Sequence, residues 1–588
     1  MADPSANDLP DLLVAVLAAA DRYGDAPALT GPPPRRIAFR GTLTHGRNAF
    51  RGTLAEHVPA FRGTRSGRPS AFRGTLTHAQ LGERIRAVAT HLTRAGFAPG
   101  ERVLFSVRPS PDSVVLALGI VAAGGTVVFV DPGVGPALFA ARTELAAPGW
   151  AAAESVLYAA GRRPLRALAR RRGVLLPDYA GLPVRHIRAG RWLPGVPRNA
   201  IPLAALLRPV PGAEVGAGYE SAPDQDAVVV FTAGTTAAPR AVVHTRGSLG
   251  AALDVLSTRC ALGPGSRVHT DQFLLGLPAL VDGGHWSMPP YGFAPAARPD
   301  ELARGLGAEV GGQRATHTFL VPADLAAVLD AVERREVALP DSLRQVLLGA
   351  APVLPPLLRR ARAALPGVEF LAVYGMTEIL PVAIATAEEK LAHPGPGDLV
   401  GAPLPGVHAR IDDEGRLVVG GANLGHYLGE PRRSEHTTGD LARIDHEEGG
   451  DTENGGDTEN GGDTENGGDT ENGGGAIVLH GRATDMLIRG RTNIYPGLHE
   501  PAVAALPGVA QALLVGVPDA IGDDRVVLAL VAAPGTPPGL ADRVWAALPA
   551  LVDAAALPDD VVLVDAVPVA GRTRKPDRAA LVRMLRQR

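Results

Sequence analysis

A strand that runs into a loop of threonine and glycine constrains the fold and chemistry of this chain more than any other feature. Residues 228–231 are apolar and predict a buried strand, and Thr232-Ala-Gly-Thr-Thr-Ala-Ala-Pro-Arg240 follows directly. Gly234 lets the backbone turn tightly and approach a ligand. Three hydroxyl donors and one cation stand in the loop: Thr232, Thr235, Thr236 and Arg240. These groups suit a polyphosphate.

The same loop excludes one common class of nucleotide site. It lacks the Gly-Lys-Ser/Thr ending that a Walker A loop places at a fixed spacing. A threonine-rich turn without a ligand is the alternative that this stretch alone leaves open.

Length and charge limit the class of protein further. A chain of 588 residues is too long for a single core and predicts two or more domains. The net charge of −3 argues against a nucleic-acid partner. A single cysteine, Cys260, excludes an intrachain disulfide and a structural zinc site, and is expected to be a small buried residue.

No stretch of the sequence predicts a membrane span or a targeting segment. The first residues lack the positive start of a signal peptide. The longest uncharged run, residues 113–130, contains Gly124-Gly125 and predicts a buried helix, a turn and a buried strand. We therefore expect a cytoplasmic protein.

Helical patterns alternate with short apolar strands from about residue 82 to residue 200. The stretches 102–107 and 125–130 are examples of such strands. This alternation predicts an α/β fold with largely parallel sheets.

Two repeats interrupt the pattern. Ala38-Phe-Arg-Gly-Thr-Leu-Thr-His45 recurs at residues 71–78, so residues 46–78 are interpreted as a disordered inserted duplication. Asp-Thr-Glu-Asn-Gly-Gly occurs four times in residues 451–474 and has no apolar residue to bury, which predicts a disordered acidic loop. Its flanks, residues 440–445 and 476–480, are expected to pair as a hairpin; calcium binding is a weaker alternative.

Four further motifs follow the threonine loop. Strands are expected to lead into Gly349-Ala-Ala351 and into Tyr374-Gly-Met-Thr-Glu378, while Thr437-Thr-Gly-Asp440 and Gly481-Arg-Ala-Thr-Asp485 form turns that carry charge. Each has an ordinary alternative, such as a core aromatic for Tyr374 or a helix cap for a carboxylate.

The ordered set of motifs resembles the adenylate-forming superfamily, which includes acyl- and aryl-CoA synthetases, luciferases and peptide-synthetase adenylation domains. The resemblance implies that loop 232–240 holds the β- and γ-phosphates of ATP. Gly349, Ala350 and Ala351 would line the adenine, and Tyr374 would stack on it.

The remaining roles also come from this resemblance. Gly375 would belong to the same nucleotide-binding motif, and Thr377 would contact the α-phosphate. Glu378 would hold Mg²⁺, while Asp440 would accept hydrogen bonds from the ribose hydroxyls with the assistance of Arg482.

The resemblance implies two domains and a catalytic lysine. Residues 1–481 would form the large domain that binds ATP and the acyl group, and residues 482–588 a small, mobile α+β lid domain. Lys575 would pair with the carboxylate and the α-phosphate as charge develops. Thr377, Glu378 and Arg240 complete the expected catalytic set.

The acceptor of the second step has several alternatives. CoA is ranked first. Residues 130–135, 374–382 and 568–575 are similar to olefin-pathway β-lactone synthetases, which close a β-hydroxy acid into a ring without CoA. Loading of an acyl carrier protein ranks third. A nucleotide-binding protein without turnover is the non-enzymatic alternative, because the loop has Ala233, Ala237 and Arg240 where the family usually has Ser, Gly and Lys.

Overall fold

The computed structural model describes most of the chain in separate ranges. They are residues 11–32, 74–133, 136–161, 176–210, 220–232, 239–351, 353, 355–393, 398–445, 475–482, 487–489, 492–494, 496–504, 506–518, 524–552, 554–570, 575–576 and 578–587. Three predicted site residues lie outside these ranges: Gly234, Thr235 and Thr236. The acidic repeat 451–474 also lies outside them.

Helices occur along the whole length of the described chain. The α-helices are Leu12–Tyr23, His78–Arg94, Pro111–Ala122, Pro136–Ala146, Ser155–Ala160, Leu203–Leu206, Arg246–Arg259, Phe273–Val281, Pro299–Gly307, Pro322–Glu333, Pro355–Ala364, Ala387–Ala392, Pro496–Ala504, Leu540–Leu551 and Arg578–Arg586. Short 3₁₀ turns lie at Tyr179–Gly181 and Ala554–Ala556.

Strands are numbered in chain order. They are β1 Pro27–Thr30, β2 Thr75–Thr77, β3 Arg102–Ser106, β4 Thr126–Phe129, β5 Trp150–Glu154, β6 Arg185–Ala189, β7 Ile201–Pro202, β8 Asp226–Thr232, β9 Arg240–Thr245, β10 Arg267–His269, β11 His285–Ser287, β12 His317–Leu320, β13 Gln345–Leu348, β14 Glu369–Tyr374, β15 Ala383–Thr386, β16 Asp398–Gly401, β17 Val407–Ile411, β18 Arg416–Gly421, β19 His426–Tyr427, β20 Glu435–Asp445, β21 Ala476–Arg482, β22 Leu487–Arg489, β23 Thr492–Ile494, β24 Val509–Pro518, β25 Asp524–Ala532, β26 Asp560–Leu563, β27 Val569–Ala570 and β28 Lys575–Pro576.

Strands β1 to β15 and β19 form two eight-stranded sheets. One has the order β15-β14-β13-β12-β10-β11-β1-β2 and the other β19-β9-β8-β4-β3-β5-β6-β7. Most of their strands pair in parallel, for example β12 with β13 and β3 with β4, and antiparallel pairs lie towards the β15, β2 and β19 edges. The predicted α/β fold with largely parallel sheets is therefore confirmed.

Local sequence signals explain where several helices begin. Thr77, Ser110 and Thr245 each cap a helix, and the residue at the third helical position bonds back to the cap in every case. Such reciprocal capping satisfies backbone N–H groups that the first helical turn leaves without partners. The predicted helix, turn and strand of residues 113–130 correspond to Pro111–Ala122 and Thr126–Phe129.

The predicted limits of the first insertion need a correction. Residues 75–77 form β2, which pairs with β1, and His78 begins a helix. Residues 75–78 of the second copy therefore belong to the fold. Gln80, which follows this copy, completes the capping box with Thr77 and so helps to start the helix.

The strands that flank the acidic repeat pair as predicted. β20 and β21 are antiparallel, with Asp445 opposite Ala476, in a five-stranded sheet. An insertion at the end of such a hairpin leaves the pairing intact because loop-closure entropy grows slowly with length.

The buried apolar residues form separate clusters along the chain. Four clusters contain only residues up to 479. Two others contain only residues from 487 onwards, around β24, β25 and the helix Leu540–Leu551. Cys260 is fully buried, and burial raises the pKa of its thiol to about 12. Within the described ranges, no helix is long and apolar enough to cross a membrane.

Candidate active site

A large cavity opens where several strands of the two sheets end. Its volume is about 1100 Å³, and most of its wall is apolar. Contributions come from helices far apart in the sequence, such as Leu12, Leu118, Leu253 and Phe273. Ligand sites of α/β proteins lie outside the carboxyl ends of parallel strands.

Two predicted motifs reach this cavity because their strands are neighbours. β13 and β14 pair in parallel, so the residues that follow them emerge at the same edge. Gly349 and Ala350 from the first, and Gly375 and Thr377 from the second, line the cavity. Ala350 has a φ of 65°, which costs energy for a residue with a Cβ and is typical of functional turns.

The predicted ribose acceptor lies against the predicted adenine-stacking residue. The hydroxyl of Tyr374 donates to Oδ2 of Asp440 at 2.8 Å, and Asp440 is buried. Asp440 stands opposite Arg482 in the register of β20 and β21. Asp440 and Arg482 therefore lie on paired strands, and Tyr374, which belongs to a different sheet, contacts Asp440 through its hydroxyl.

The predicted metal ligand is held by a residue that the sequence did not point to. The hydroxyl of Tyr427 donates to Oε1 of Glu378 at 2.8 Å. The guanidinium carbon of Arg240 lies 4.9 Å from the centre of the Tyr427 ring, a cation–π contact. Burial and the Glu378 carboxylate raise the pKa of Tyr427 to about 12, so its hydroxyl stays protonated.

Thr377 is fixed through its backbone. Nε2 of His244 lies 2.7 Å from the carbonyl oxygen of Thr377, a distance at which the imidazole N–H donates. Burial lowers the pKa of His244, so the ring is neutral near pH 7. His244 also lines the cavity.

The threonine loop connects two antiparallel strands. Thr232 ends β8 and is paired with Arg240, which begins β9. Only the two ends of the loop are within the described residues. Ala351 follows Ala350 without lining the cavity.

Lys575 is described only by its backbone, which pairs with Ala570. Its expected catalytic role stays a prediction, as does that of Arg482.

The single carboxylate of Glu378 fits Mg²⁺, which shares its ligands between protein and nucleotide, better than a metal ion that is bound by protein side chains alone. Among the described residues, no group of three His, Cys, Asp or Glu side chains could hold a metal ion. Mg²⁺ usually takes one or two carboxylates and completes its shell with substrate phosphates and water. The single carboxylate of Glu378, together with phosphates supplied by a nucleotide, would satisfy that requirement.

Sequence reasoning missed the residues that support the predicted ones. Tyr427 lies in a two-residue strand, and His244 lies near the end of β9, the strand after the threonine loop. A histidine among the apolar residues of β9 is the one signal that the sequence offers, although His244 lies opposite Val228 near the start of β8 and not at the edge where the parallel strands end. Phe273, Leu277 and Phe319 also line the cavity with apolar side chains.

Comparison with known proteins assigns the family. A model described as AMP-binding enzyme matches residues 60–427, which is more than half of the chain. The chain belongs to this family and thus to the adenylate-forming superfamily, as the motifs predicted.

Curated relatives are ligases. The fatty acid–[acyl-carrier-protein] ligase ScoC of Streptomyces coeruleorubidus is 26% identical over 550 residues, covering 87% of this chain and 91% of that protein. A probable 2-succinylbenzoate–CoA ligase of Mycobacterium tuberculosis is 29% identical over 274 residues, covering 45% of this chain and 60% of that ligase. The chain thus spans nearly all of the first relative but less than two thirds of the second.

Solved structures share the fold. The amide bond synthetase McbA from Marinactinospora thermotolerans has a TM-score of 0.69 at 22% identity, with 98% of this chain and 99% of that chain covered. The o-succinylbenzoate CoA synthetase of Bacillus subtilis has a TM-score of 0.66 at 17% identity, covering 97% and 98%. Such similarity supports an adenylate-forming fold over the whole chain.

Proposed function

We propose that this protein uses ATP to activate an apolar carboxylic acid of the fatty type and then transfers the acyl group to CoA. The observation that carries the proposal is the apolar cavity of about 1100 Å³, which extends from Leu12 and Leu253 to Thr377 and Gly349. It offers an alkyl chain an apolar surface and ends at the residues expected to bind the nucleotide.

The first step needs positioning rather than a protein nucleophile. A carboxylate oxygen of the acid bonds to the α-phosphorus of ATP, and the bond from that phosphorus to the bridging oxygen breaks, which releases pyrophosphate. Thr377 would contact the α-phosphate, and Lys575 would balance the charge of the reacting groups. Glu378 would hold Mg²⁺, which would offset phosphate charge when bound.

The second step transfers the acyl group to sulfur. A thiol attacks the acyl carbon, and AMP leaves with the electrons of the bond that joined it to the acyl group. We propose that residues 482–588 form a separate lid domain that rearranges between the two steps. The division of the apolar clusters between residues 479 and 487 supports this boundary.

A carrier protein is the second candidate acceptor. The specific support is the match to ScoC, which extends over 91% of that fatty acid–[acyl-carrier-protein] ligase. CoA and a carrier protein both react through a thiol, and adenylation is the same for both. The choice between these acceptors therefore depends on the protein surface around the site.

Product identification by mass spectrometry tests the proposal. The purified chain is incubated with ATP, Mg²⁺ and fatty or β-hydroxy fatty acids, with CoA, with a carrier protein bearing its thiol arm, or with neither. We expect pyrophosphate release and an acyl-CoA. A carrier-bound acyl group would support the second candidate, and a β-lactone formed without a thiol would contradict both. Absence of pyrophosphate with every acid would contradict activation itself.

A further inference from the structure

Residues 424–427 connect the two motifs that are expected to hold the phosphates and the metal. β19 pairs with β9, so that Tyr427 lies opposite Val242 and His426 opposite Val243. On the other side, Ile379 bridges to Leu424. The segment therefore lies between the strand that follows the threonine loop and the turn that carries Glu378.

Close backbone contact fixes this segment. The N–H of Gly425 donates to the carbonyl oxygen of Glu378 at 2.8 Å. A Cβ at Gly425 would lie 2.9 Å from the carbonyl oxygen of Val243 and 2.9 Å from Cγ1 of Val242. Only glycine fits this position without a shift of the strand. Tyr427 is thereby held at a fixed place between the two motifs.

The side chain of Tyr427 uses both of its chemical features there. Its hydroxyl donates to Oε1 of Glu378, and its ring face lies under the guanidinium of Arg240. A neutral donor orients a carboxylate without cancelling its charge. The planar guanidinium keeps its N–H donors at its edge while it lies over the ring.

We infer that Tyr427 is a positioning residue that holds Glu378 ready for the divalent cation of metal–ATP and keeps Arg240 in place for the phosphates. The hydrogen bond occupies Oε1 and leaves Oε2 to the cation. Partners that orient a metal-binding carboxylate are commonly needed for full metal affinity. This inference rests on the proposed ATP site and adds a residue and a role to it.

Nucleotide binding with and without metal tests the inference. The probe is α,β-methylene-ATP, in which the bond broken during adenylation is not cleavable, and affinity is measured by calorimetry with Mg²⁺ and with a chelator. Wild type is expected to bind more tightly with Mg²⁺. Tyr427→Phe, which keeps the ring, is expected to lose about 10- to 100-fold of affinity with Mg²⁺ and little in the chelator.

Further variants guard against a purely structural effect. Tyr23→Phe removes a hydroxyl from a ring that lies against His78 and is expected to bind like wild type. Tyr427→His retains a ring with an N–H donor and is expected to bind better with Mg²⁺ than Tyr427→Phe. In a Glu378→Gln background, Tyr427→Phe should cause no additional loss.

The possible failures are distinguishable. If wild type binds the probe in neither condition, the proposed ATP site is wrong and the inference falls with it. If wild type gains affinity from Mg²⁺ and Tyr427→Phe gains as much, the ATP site stands and the role of Tyr427 is overturned. An equal loss in Mg²⁺ and in chelator would also overturn it.

Discussion

Two tyrosine hydroxyls each donate to a carboxylate of the candidate nucleotide site. Tyr374 donates to Asp440 and Tyr427 to Glu378, each at 2.8 Å. A hydroxyl fixes the direction of a carboxylate but does not neutralise it, and hydrogen bonds to charged groups are stronger than those between neutral groups. At the residue scale, the site is organised by neutral donors that leave its negative charge available to the proposed cation and to the proposed ribose hydroxyls.

Replacing Asp440 tests the ribose contact. Asp440→Ala removes an acceptor expected to bind two hydroxyls, so kcat/KM for ATP should fall by about 10- to 100-fold, the size of one or two hydrogen bonds to a charged group. Steady-state pyrophosphate release at varied ATP measures it. Asp413→Ala, an exposed carboxylate between β17 and β18, is the matched control. An unchanged kcat/KM for ATP in Asp440→Ala would contradict the proposed ribose-binding role of Asp440.

Replacing Lys575 tests the catalytic cation. Lys575→Ala should nearly abolish adenylation because no other group is proposed to balance charge at the reacting carboxylate. Binding of α,β-methylene-ATP should change much less than the rate of pyrophosphate release. Arg583→Ala in the last helix serves as a control for loss of positive charge. Pyrophosphate release at the wild-type rate in Lys575→Ala would contradict the role.

The residues predicted from the sequence share a property that Tyr427 lacks. Gly349 follows the apolar strand β13, Tyr374 ends β14 and Thr377 comes shortly after it, so the sequence alone places them at a sheet edge. Tyr427 lies in a strand of two polar residues whose neighbour is β9, almost two hundred residues earlier. No local sequence pattern predicts a pairing between strands so far apart in the chain.

At the scale of elements, a buried ion pair joins the helix Leu12–Tyr23 to the helix Arg246–Arg259, which follows β9. Oδ2 of Asp11 lies 2.7 Å from Nη2 of Arg246, and both side chains are almost completely buried. Asp11 also caps its own helix by accepting from the N–H groups of Leu13 and Val14. The same carboxylate therefore begins one helix and neutralises the first residue of another.

Breaking that pair should destabilise the fold strongly. Asp11→Ala leaves the guanidinium of Arg246 buried without its carboxylate, which is expected to cost about 3–5 kcal/mol of unfolding free energy. Asp21→Ala removes a carboxylate that is half exposed beside Arg86 and should cost at most about 1 kcal/mol. Urea denaturation of both variants makes the comparison. Similar small losses in the two would show that the buried pair contributes little.

Element types were more predictable than element limits. The parallel strands and the helix Pro111–Ala122 follow from apolar pattern and capping residues. Residues 75–77 fall inside the predicted insertion but form β2, because they pair with β1 and Thr77 caps the helix that follows. The cavity was not predictable as a shape, because its wall comes from helices as distant as those of Leu12 and Phe273.

At the scale of the whole molecule, buried histidines make stability depend on pH. Burial, with a smaller contribution from nearby Arg267, lowers the pKa of His269 to about 3 and that of His285 to about 4. The unfolded chain binds protons near pH 6.5, where the folded chain does not. Stability is therefore complete above about pH 6.5 and falls as the pH decreases towards 4.

The expected loss is up to about 1.4 kcal/mol per pH unit for each such histidine. Urea unfolding at pH 8, 6 and 5 measures it. His285→Gln should flatten the dependence, whereas His408→Gln, which removes a half-exposed imidazole, should not. A dependence unchanged in His285→Gln would assign the acid sensitivity to other groups.

ATP–pyrophosphate exchange with straight-chain acids of increasing length tests the central claim most directly, because it reports adenylation without any acceptor. We predict exchange that requires an acid and increases with chain length. Ala252→Phe, which adds a ring inside the cavity, should exclude the longer acids and keep the shorter ones. Exchange that is absent with every acid, or a chain-length profile that Ala252→Phe leaves unchanged, would contradict the assignment of this cavity to the acyl group.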